Sequence, residues 1–140
     1  YRIGPRLGSG AMGTVYRAEV EGRVPGLERG TKVAIKLIHA HLLEREGSSR
    51  RFLREAECGK VVSHPNVVRA FEVDALAGGD QQHISMVMEL VDGKTLAQLL
   101  DERGRLAEGT CLHIGREVAA GLASIHEEGI VHRDLKPANS

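Results

Sequence analysis

The chain has 140 residues and no formal net charge at pH 7, because 19 lysines and arginines balance 19 acidic residues. With 41% hydrophobic and 27% charged residues, it has the composition of one ordinary soluble domain or part of a larger one. The balanced charge disfavours a general nucleic-acid or anionic-membrane binder, which would carry a basic surplus. No apolar stretch approaches the roughly 20 residues that span a bilayer, and the start lacks the apolar region of a signal peptide.

The two cysteines, Cys58 and Cys111, are too few for a disulfide framework or a zinc site, which favours a reducing cytosol. We expect both thiols to be buried or half-buried, each within a helix or at its edge. Tyr1 stands where an initiator methionine would, so we expect the chain to be a piece of a longer protein.

The first half of the chain is predicted to be rich in strands. An extended segment begins at residues 1–3, is interrupted by Gly8, Gly10 and Gly13, and is followed by an alternating strand over 14–20. The next predicted elements are a polar connection over 22–30 and a strand over 32–38. A helix is predicted from Ser48 or Ser49 to Val62, and His64-Pro65-Asn66 ends it. Two strands follow over 67–73 and 83–90, joined by a turn at 78–80.

The second half is predicted to be helical. Thr95 is a candidate N-cap for a helix through Glu102, which residues 103–105 end. A longer helix over 112–127 ends at Gly129. Its predicted buried face consists of Ile114, Val118, Leu122 and Ile125.

The first chemical motif is the G-x-G-x-x-G formed by Gly8, Gly10 and Gly13. Glycines let backbone N–H groups approach phosphate oxygens closely. A dinucleotide-binding fold needs a helix directly after this motif, whereas residues 14–20 read as a strand. A Walker-type loop needs Gly-Lys-Ser/Thr, and here Thr14 follows Gly13. The remaining interpretations are a glycine-rich hairpin that covers a ligand and a plain hairpin turn.

A lysine inside an apolar run is the second motif. Lys36 follows Val33-Ala34-Ile35 and precedes Leu37-Ile38. If the strand is buried, the ammonium needs an anionic partner, and Glu55 and Glu57 on the predicted helix are candidates. The alternative is a lysine on the solvent face of an edge strand.

The third motif is His132-Arg133-Asp134-Leu135-Lys136-Pro137-Ala138-Asn139. Such a loop offers a carboxylate that accepts a hydroxyl proton (Asp134), an amine that neutralises phosphate (Lys136) and an oxygen ligand for a hard cation (Asn139). A generic charged loop does not account for this spacing.

Together with Glu55 and Met88-Glu89, these motifs resemble the eukaryotic-type (Hanks-type) serine/threonine protein kinases, in particular bacterial ones. The resemblance covers essentially the whole chain and implies the N-terminal part of a kinase domain. The implied fold class is α+β, with a β-rich N-lobe containing one long helix (about residues 1–90), a hinge (91–94) and the first helices of a helical C-lobe (95–140).

The resemblance implies ATP and Mg²⁺ as cofactors and a role for each motif residue. Asp134 would orient the acceptor hydroxyl and take its proton, Lys136 would stabilise the transferring phosphoryl group, and Asn139 would bind Mg²⁺. His132 would be structural, and Arg133 would contact a phosphorylated activation loop. The implied nucleotide-binding residues are Leu7, Gly8, Ser9, Gly10, Ala11, Met12, Gly13, Val15, Ala34, Lys36, Glu55 (the partner of Lys36), Met88 (the gatekeeper), Glu89 and Val91.

The implied partner is a protein substrate with a serine or threonine acceptor; no nucleic acid and no membrane segment in this chain are expected. The parent protein is expected to be cytoplasmic, could be anchored outside this segment, and could form a homodimer. His39, His41 and His64 do not form a metal-ligand set. His126 is expected to pack or to donate a hydrogen bond.

The sequence departs from the family pattern at three places. The sequence stops at Ser140, before an Asp-Phe-Gly magnesium site, so we expect the fragment to be inactive alone and marginally folded. The alternative for the parent is a non-catalytic ATP-binding pseudokinase or scaffolding module. Gly59 stands where larger apolar residues often align the helix with the core, and the connection before Lys32 is longer than in many relatives.

Overall fold

A computed structural model describes residues 1–10, 13–39, 59–78, 81–133 and 135–139. The chain divides into two compact units, Tyr1–Val61 with Val68–Leu90 and Val62–Val67 with Val91–Ser140. The predicted helix that would carry Glu55, Glu57 and Cys58 lies outside the described residues except for its end, where residues 59–61 are helical.

The first unit contains a five-stranded antiparallel sheet in the order β1-β2-β3-β5-β4. Its strands are β1 (Arg2–Ser9), β2 (Gly13–Glu19), β3 (Lys32–Ile38), β4 (Ala70–Gly78) and β5 (Gln81–Glu89). The strands predicted over 14–20 and 32–38 are therefore present, the first displaced by one residue. Alternation of apolar and polar residues located the first strand and a short, mostly apolar run located the second, and both are local signals.

The strand predicted over 67–73 is wrong at both ends. The backbone N–H of Val67 donates to the carbonyl of His64 at 3.0 Å, which holds Val67 in a turn. The strand therefore begins at Ala70, and it runs to Gly78 because it pairs with β5 along a long hairpin. β5 begins two residues before the predicted start at His83 and ends one residue before Leu90.

Each face of the sheet carries its own apolar cluster. One cluster is built from Ala18, Val20, Val33, Ile35 and Val87. The opposite cluster is built from Ile38, Ala70 and Met86, with Val73, Ile84 and Met88 partly buried against it. Successive residues of a strand point to opposite faces, so β3 is apolar on both sides, as a strand buried within a sheet requires.

The long connection between β2 and β3 is pinned to the sheet. The backbone N–H of Val20 donates to Thr31 at 2.9 Å, and that of Gly30 donates to Val20 at 2.8 Å. Val24 and Leu27 form an isolated bridge and pack against the first cluster. The predicted polar connection therefore contributes apolar side chains to the core.

The second unit contains α1 (Leu96–Arg103), α2 (Glu108–Glu127) and a 3₁₀ helix, Pro137–Asn139. The predicted cap is confirmed, because the Thr95 side chain accepts from the backbone N–H of Gln98, and the Gln98 side-chain oxygen accepts from the backbone N–H of Thr95. Gly104 ends α1 with a φ of 69°, in the left-handed region that favours glycine. No helix among the described residues is long and apolar enough to cross a membrane.

α2 begins four residues earlier than predicted and buries less of the predicted face. Ile125 is buried, whereas Ile114, Val118 and Leu122 are only half-buried. The other buried residue of α2 is Gly121, which the periodicity did not single out. Cys111 is exposed, so the prediction of a buried or half-buried thiol is wrong there; it lies in the first turn of α2, whose N-terminal residues are mostly exposed. His126 is exposed as well.

A short segment, Val62–Val67, packs within the second unit although its chain neighbours on both sides belong to the first. The side chain of Asn66 donates to the Glu117 carbonyl at 3.0 Å and to its carboxylate at 2.7 Å. Gly121 lies beneath, where a Cβ would be 3.1 Å from the Asn66 carbonyl. The side chain of Asn66 and the missing side chain of Gly121 together seat the segment on α2.

Candidate active site

The glycine-rich motif forms a tight hairpin between β1 and β2. The backbone N–H of Gly10 donates to the carbonyl of Gly13 at 2.9 Å. Beside the turn, the hydroxyls of Ser9 and Thr14 are 3.0 Å apart. A strand follows the motif, as the sequence predicts. Ala11 and Met12 lie outside the described residues.

The three glycines of the motif differ in what surrounds them. Among the described residues, no atom lies within 4 Å of a Cβ built on Gly8 or Gly10, whereas one built on Gly13 collides with the carbonyl oxygen of Leu37. Packing within the protein therefore accounts for Gly13 but not for Gly8 or Gly10. The open space at those two positions leaves room for a ligand to approach the backbone.

Four of the predicted nucleotide-binding residues share one face of the sheet. Val15 is the cross-strand partner of Lys36, and Ala34 is the partner of Met88. Cross-strand partners point to the same face, with Cβ atoms about 4.5–5.5 Å apart. We call each line of cross-strand partners a row. Because Ala34 and Lys36 are two residues apart on β3, the Val15–Lys36 row and the Ala34–Met88 row are adjacent on that face. Met86 extends the Val15–Lys36 row.

Lys36 is half-buried on that face. Along the sequence of β3 it stands between the buried residues Ile35 and Ile38. β3 pairs with β2 on one side and β5 on the other, so it is a central strand. This excludes the alternative of a lysine on an edge strand. An ammonium group in such surroundings favours an anionic ligand or partner.

The end of β5 is held by bonds to the residue before β4. The backbone N–H of Glu89 donates to the Arg69 carbonyl at 2.9 Å. The side-chain carboxylate of Glu89 accepts from the backbone N–H of Arg69 at 3.1 Å. The only backbone group of Glu89 that could still face a ligand is its carbonyl. Leu7 in the first unit and Val91 in the second are 51% and 66% exposed, so both are accessible to a ligand.

The third motif follows α2 in the second unit. Gly129 has a φ of 70°, and its N–H donates to the His126 carbonyl at 2.9 Å, which turns the chain out of the helix. His132, Arg133 and Lys136 are exposed. The 3₁₀ helix that ends the motif contacts α1. The motif is thus an accessible loop supported by two helices.

Arg133 has a φ of 61°, the only positive φ of a non-glycine residue in the part of the chain that the structure describes. Such a conformation is costly for a residue with a side chain and is often found at functional sites. Arg133 directly precedes Asp134. Asp134 and Glu55 lie outside the described residues.

The predicted residues that the structure describes thus fall into two groups: a glycine hairpin and sheet face in the first unit, and Val91 with the loop of the third motif in the second. Sequence reasoning missed Asn66 and Gly121 as packing residues. The His64-Pro65-Asn66 signal was visible, but it was interpreted only as the end of a helix.

Comparisons with known proteins agree with the resemblance that the motifs indicate. A family model described as the protein kinase domain matches residues 1–140. The chain is 43% identical over 139 residues to the serine/threonine-protein kinase pkn2 of Myxococcus xanthus, and 38% identical over 145 residues to the serine/threonine-protein kinase PkaA of Streptomyces coelicolor. Each alignment includes 99% of this chain but only 15% and 26% of those relatives.

The fold has a counterpart among solved structures. A crystal structure of a mutant PknI kinase domain from Mycobacterium tuberculosis superimposes with a TM-score of 0.79 at 29% identity. The match covers 98% of this chain and 52% of that one. The predicted α+β fold class of a β-rich sheet followed by helices is confirmed. With a family model that spans every residue of the sequence, the chain belongs to the protein kinase family.

Proposed function

We propose that the protein carrying this chain transfers the γ-phosphoryl group of ATP to serine or threonine hydroxyls of protein substrates. Family membership supports the reaction class, and the names of the bacterial relatives support the acceptor type. The observation that carries the proposal is the pair of adjacent rows, Val15–Lys36 and Ala34–Met88, on one face beside a glycine hairpin. In the same proposal, residues 1–90 form the N-lobe, 91–94 the hinge and 95–140 the start of the C-lobe.

The first unit would bind the nucleotide. Gly8 and Gly10 fit a phosphate-covering role, because the space where their side chains would lie is open. Lys36 would neutralise the α- and β-phosphates. Val15 and Ala34 would contact the adenine from the sheet. The Glu89 carbonyl and the Val91 backbone would bond its edge, next to Met88.

The second unit would carry the acceptor end of the reaction. The Asp134 carboxylate orients the acceptor hydroxyl and takes its proton while the oxygen forms a bond to the γ-phosphorus and the bond to the leaving ADP oxygen breaks. Lys136 offsets negative charge on the transferring group. Asn139 has the amide oxygen that a hard cation accepts. Mg²⁺, when bound, neutralises charge on the β- and γ-phosphate oxygens.

Phosphotransfer by the full-length protein tests the proposal. The purified protein is incubated with γ-labelled ATP, Mg²⁺ and a generic basic protein, and the labelled residues are identified by phosphoamino-acid analysis. Label on serine or threonine supports the proposal. No transfer by the intact protein, or label confined to tyrosine, contradicts it.

Two variants with a matched control locate the chemistry. Removing a general base costs about 10²–10⁴-fold in rate, so Asp134→Asn should reduce kcat to that extent. Lys36→Met removes a charged contact worth roughly 1.5–3 kcal/mol and should lower kcat/KM by about 10- to 150-fold. Lys32→Met is the control, because Lys32 lies exposed at the other end of the same strand. Equal activity of Asp134→Asn and the wild type rejects the assigned role.

A further inference from the structure

The end of the helix at residues 59–61 is packed against the sheet with no space for a side chain at Gly59. A Cβ on Gly59 would be 2.8 Å from the Cβ of Ala70, 3.0 Å from the Ala70 nitrogen and 3.2 Å from the Val68 carbonyl oxygen. Two of these three atoms belong to the backbone, and the third is a methyl group that cannot rotate away. A side chain at residue 59 therefore forces the helix end or the start of β4 to move.

The face of the sheet that Gly59 contacts is the face that carries the proposed nucleotide-binding residues. Ala70 is buried in one cluster with Ile38 and Met86. It is also the cross-strand partner of Met88, which is in turn the partner of Ala34. The side chains of partners lie next to each other on the same face. The Ala70 methyl group thus adjoins Gly59 and belongs to the cross-strand partner of Met88.

The row Ala34–Met88–Ala70 has a small residue on either side of the methionine, and both alanines are 5% exposed. Interiors of this kind are close-packed and do not absorb extra atoms without displacement. A shift of Ala70 therefore reaches Met88 directly. Met88 itself is only half-buried, so it is the member of the row with freedom to move.

We infer that Gly59 is a positioning residue for Met88: the absence of a side chain at Gly59 sets how closely the helix end approaches Ala70, and thereby where the Met88 side chain lies. The consequence for ATP rests on the proposed function, in which Met88 borders the adenine. In this protein, a larger apolar residue at position 59 would weaken the alignment of the helix with the sheet and not improve it.

The position of Met88 can be read independently of activity. Methionine occurs at only three positions of the chain, Met12, Met86 and Met88. The full-length protein is labelled with ¹³C at the methionine methyl groups, and the resonances are assigned from Met86→Leu and Met88→Leu. Gly59→Ala should move the Met88 methyl resonance, and Gly59→Ala with Ala70→Gly should return it towards the wild-type position. Gly115→Ala is the matched control, because a Cβ there meets no atom within 4 Å in the part of the chain that the structure describes.

An unmoved Met88 resonance in a folded Gly59→Ala variant overturns the inference. If Gly59→Ala does not fold, Ala70→Gly alone removes the methyl group that adjoins both residues, and an unmoved Met88 resonance then refutes the link. ATP titration is the second readout: Gly59→Ala should raise the ATP dissociation constant by about threefold or more, with Gly115→Ala unchanged. If the wild type binds no ATP, the proposed function fails, while the displacement of Met88 still decides the inference about Gly59. Lower thermal stability with an unchanged Met88 resonance identifies Gly59 as merely structural.

Discussion

Replacing Gly13 with alanine tests whether the glycines of the hairpin have separate roles. A Cβ at Gly13 collides with the carbonyl oxygen of Leu37 and lies 3.0 Å from its carbonyl carbon and 3.3 Å from the Cα of Ile38. All three atoms are backbone atoms of β3, so no side-chain rotation relieves the overlap. β2 and β3 must separate where Gly13 pairs with Ile38. Overpacking of this kind costs about 1–3 kcal/mol.

Thermal unfolding of the full-length protein measures this cost. For a domain of this size class, 1 kcal/mol lowers Tm by about 2–4 °C, so a loss of 2 kcal/mol corresponds to roughly 4–8 °C. Gly10→Ala is the control, because its Cβ meets no atom of the described residues within 4 Å. Its effect on stability should stay within about 0.5 kcal/mol.

The effect on ATP binding should follow the opposite order from the effect on stability, with Gly10→Ala the more harmful of the two substitutions. Gly10→Ala places a methyl group where the proposed phosphates would approach, and should weaken ATP binding without lowering Tm. The main effect of Gly13→Ala should instead be a lower Tm. Equal melting temperatures for Gly13→Ala and the wild type refute the packing argument. An ATP affinity of Gly10→Ala equal to that of the wild type refutes the proposal that the phosphates approach the backbone at Gly10.

Two further changes test contacts at other places. Asn66→Ala removes both hydrogen bonds to Glu117 and should destabilise the protein by about 1–3 kcal/mol in chemical unfolding. The control is His113→Ala, which should be nearly neutral because the exposed His113 ring is 3.9 Å from the Glu117 carboxylate. Equal effects of the two substitutions contradict the role of Asn66 in holding its segment on α2. Burial and a 2.8 Å hydrogen bond to Glu72 raise the pKa of the Tyr1 phenol above its usual value near 10. The stability that this bond contributes is therefore full below pH 10 and is lost at higher pH, as the phenol of the unfolded chain ionises. Tyr1→Phe should be less stable than the wild type at pH 8 by about 0.5 kcal/mol, and a difference that does not narrow above pH 10 contradicts the assignment.

The sequence alone identified the elements and motifs whose signals are local. Alternation located β2, because successive side chains of a strand face opposite sides, and a short, mostly apolar run located β3. Thr95 predicted the start of α1, because an N-cap is recognised from the residue type beside the helix. The order of the glycine, lysine and His-Arg-Asp motifs indicated the kinase family, which the comparisons confirm. Boundaries were less accurate: the predicted start of β4 missed the turn that holds Val67.

Only the tertiary structure decided which residues distant in the chain meet. Identical glycines in the sequence proved different: Gly13 lies against backbone atoms of β3 and Gly59 against Ala70 and Val68, whereas no described residue fills the space beside Gly8 or Gly10. The exposure of Cys111 likewise depends on what packs against the start of α2 and not on the residue type. Placing Lys36 on a central strand, one row from Met88, required the register of three strands. Register and close packing arise from contacts between segments far apart in sequence, which no local pattern encodes.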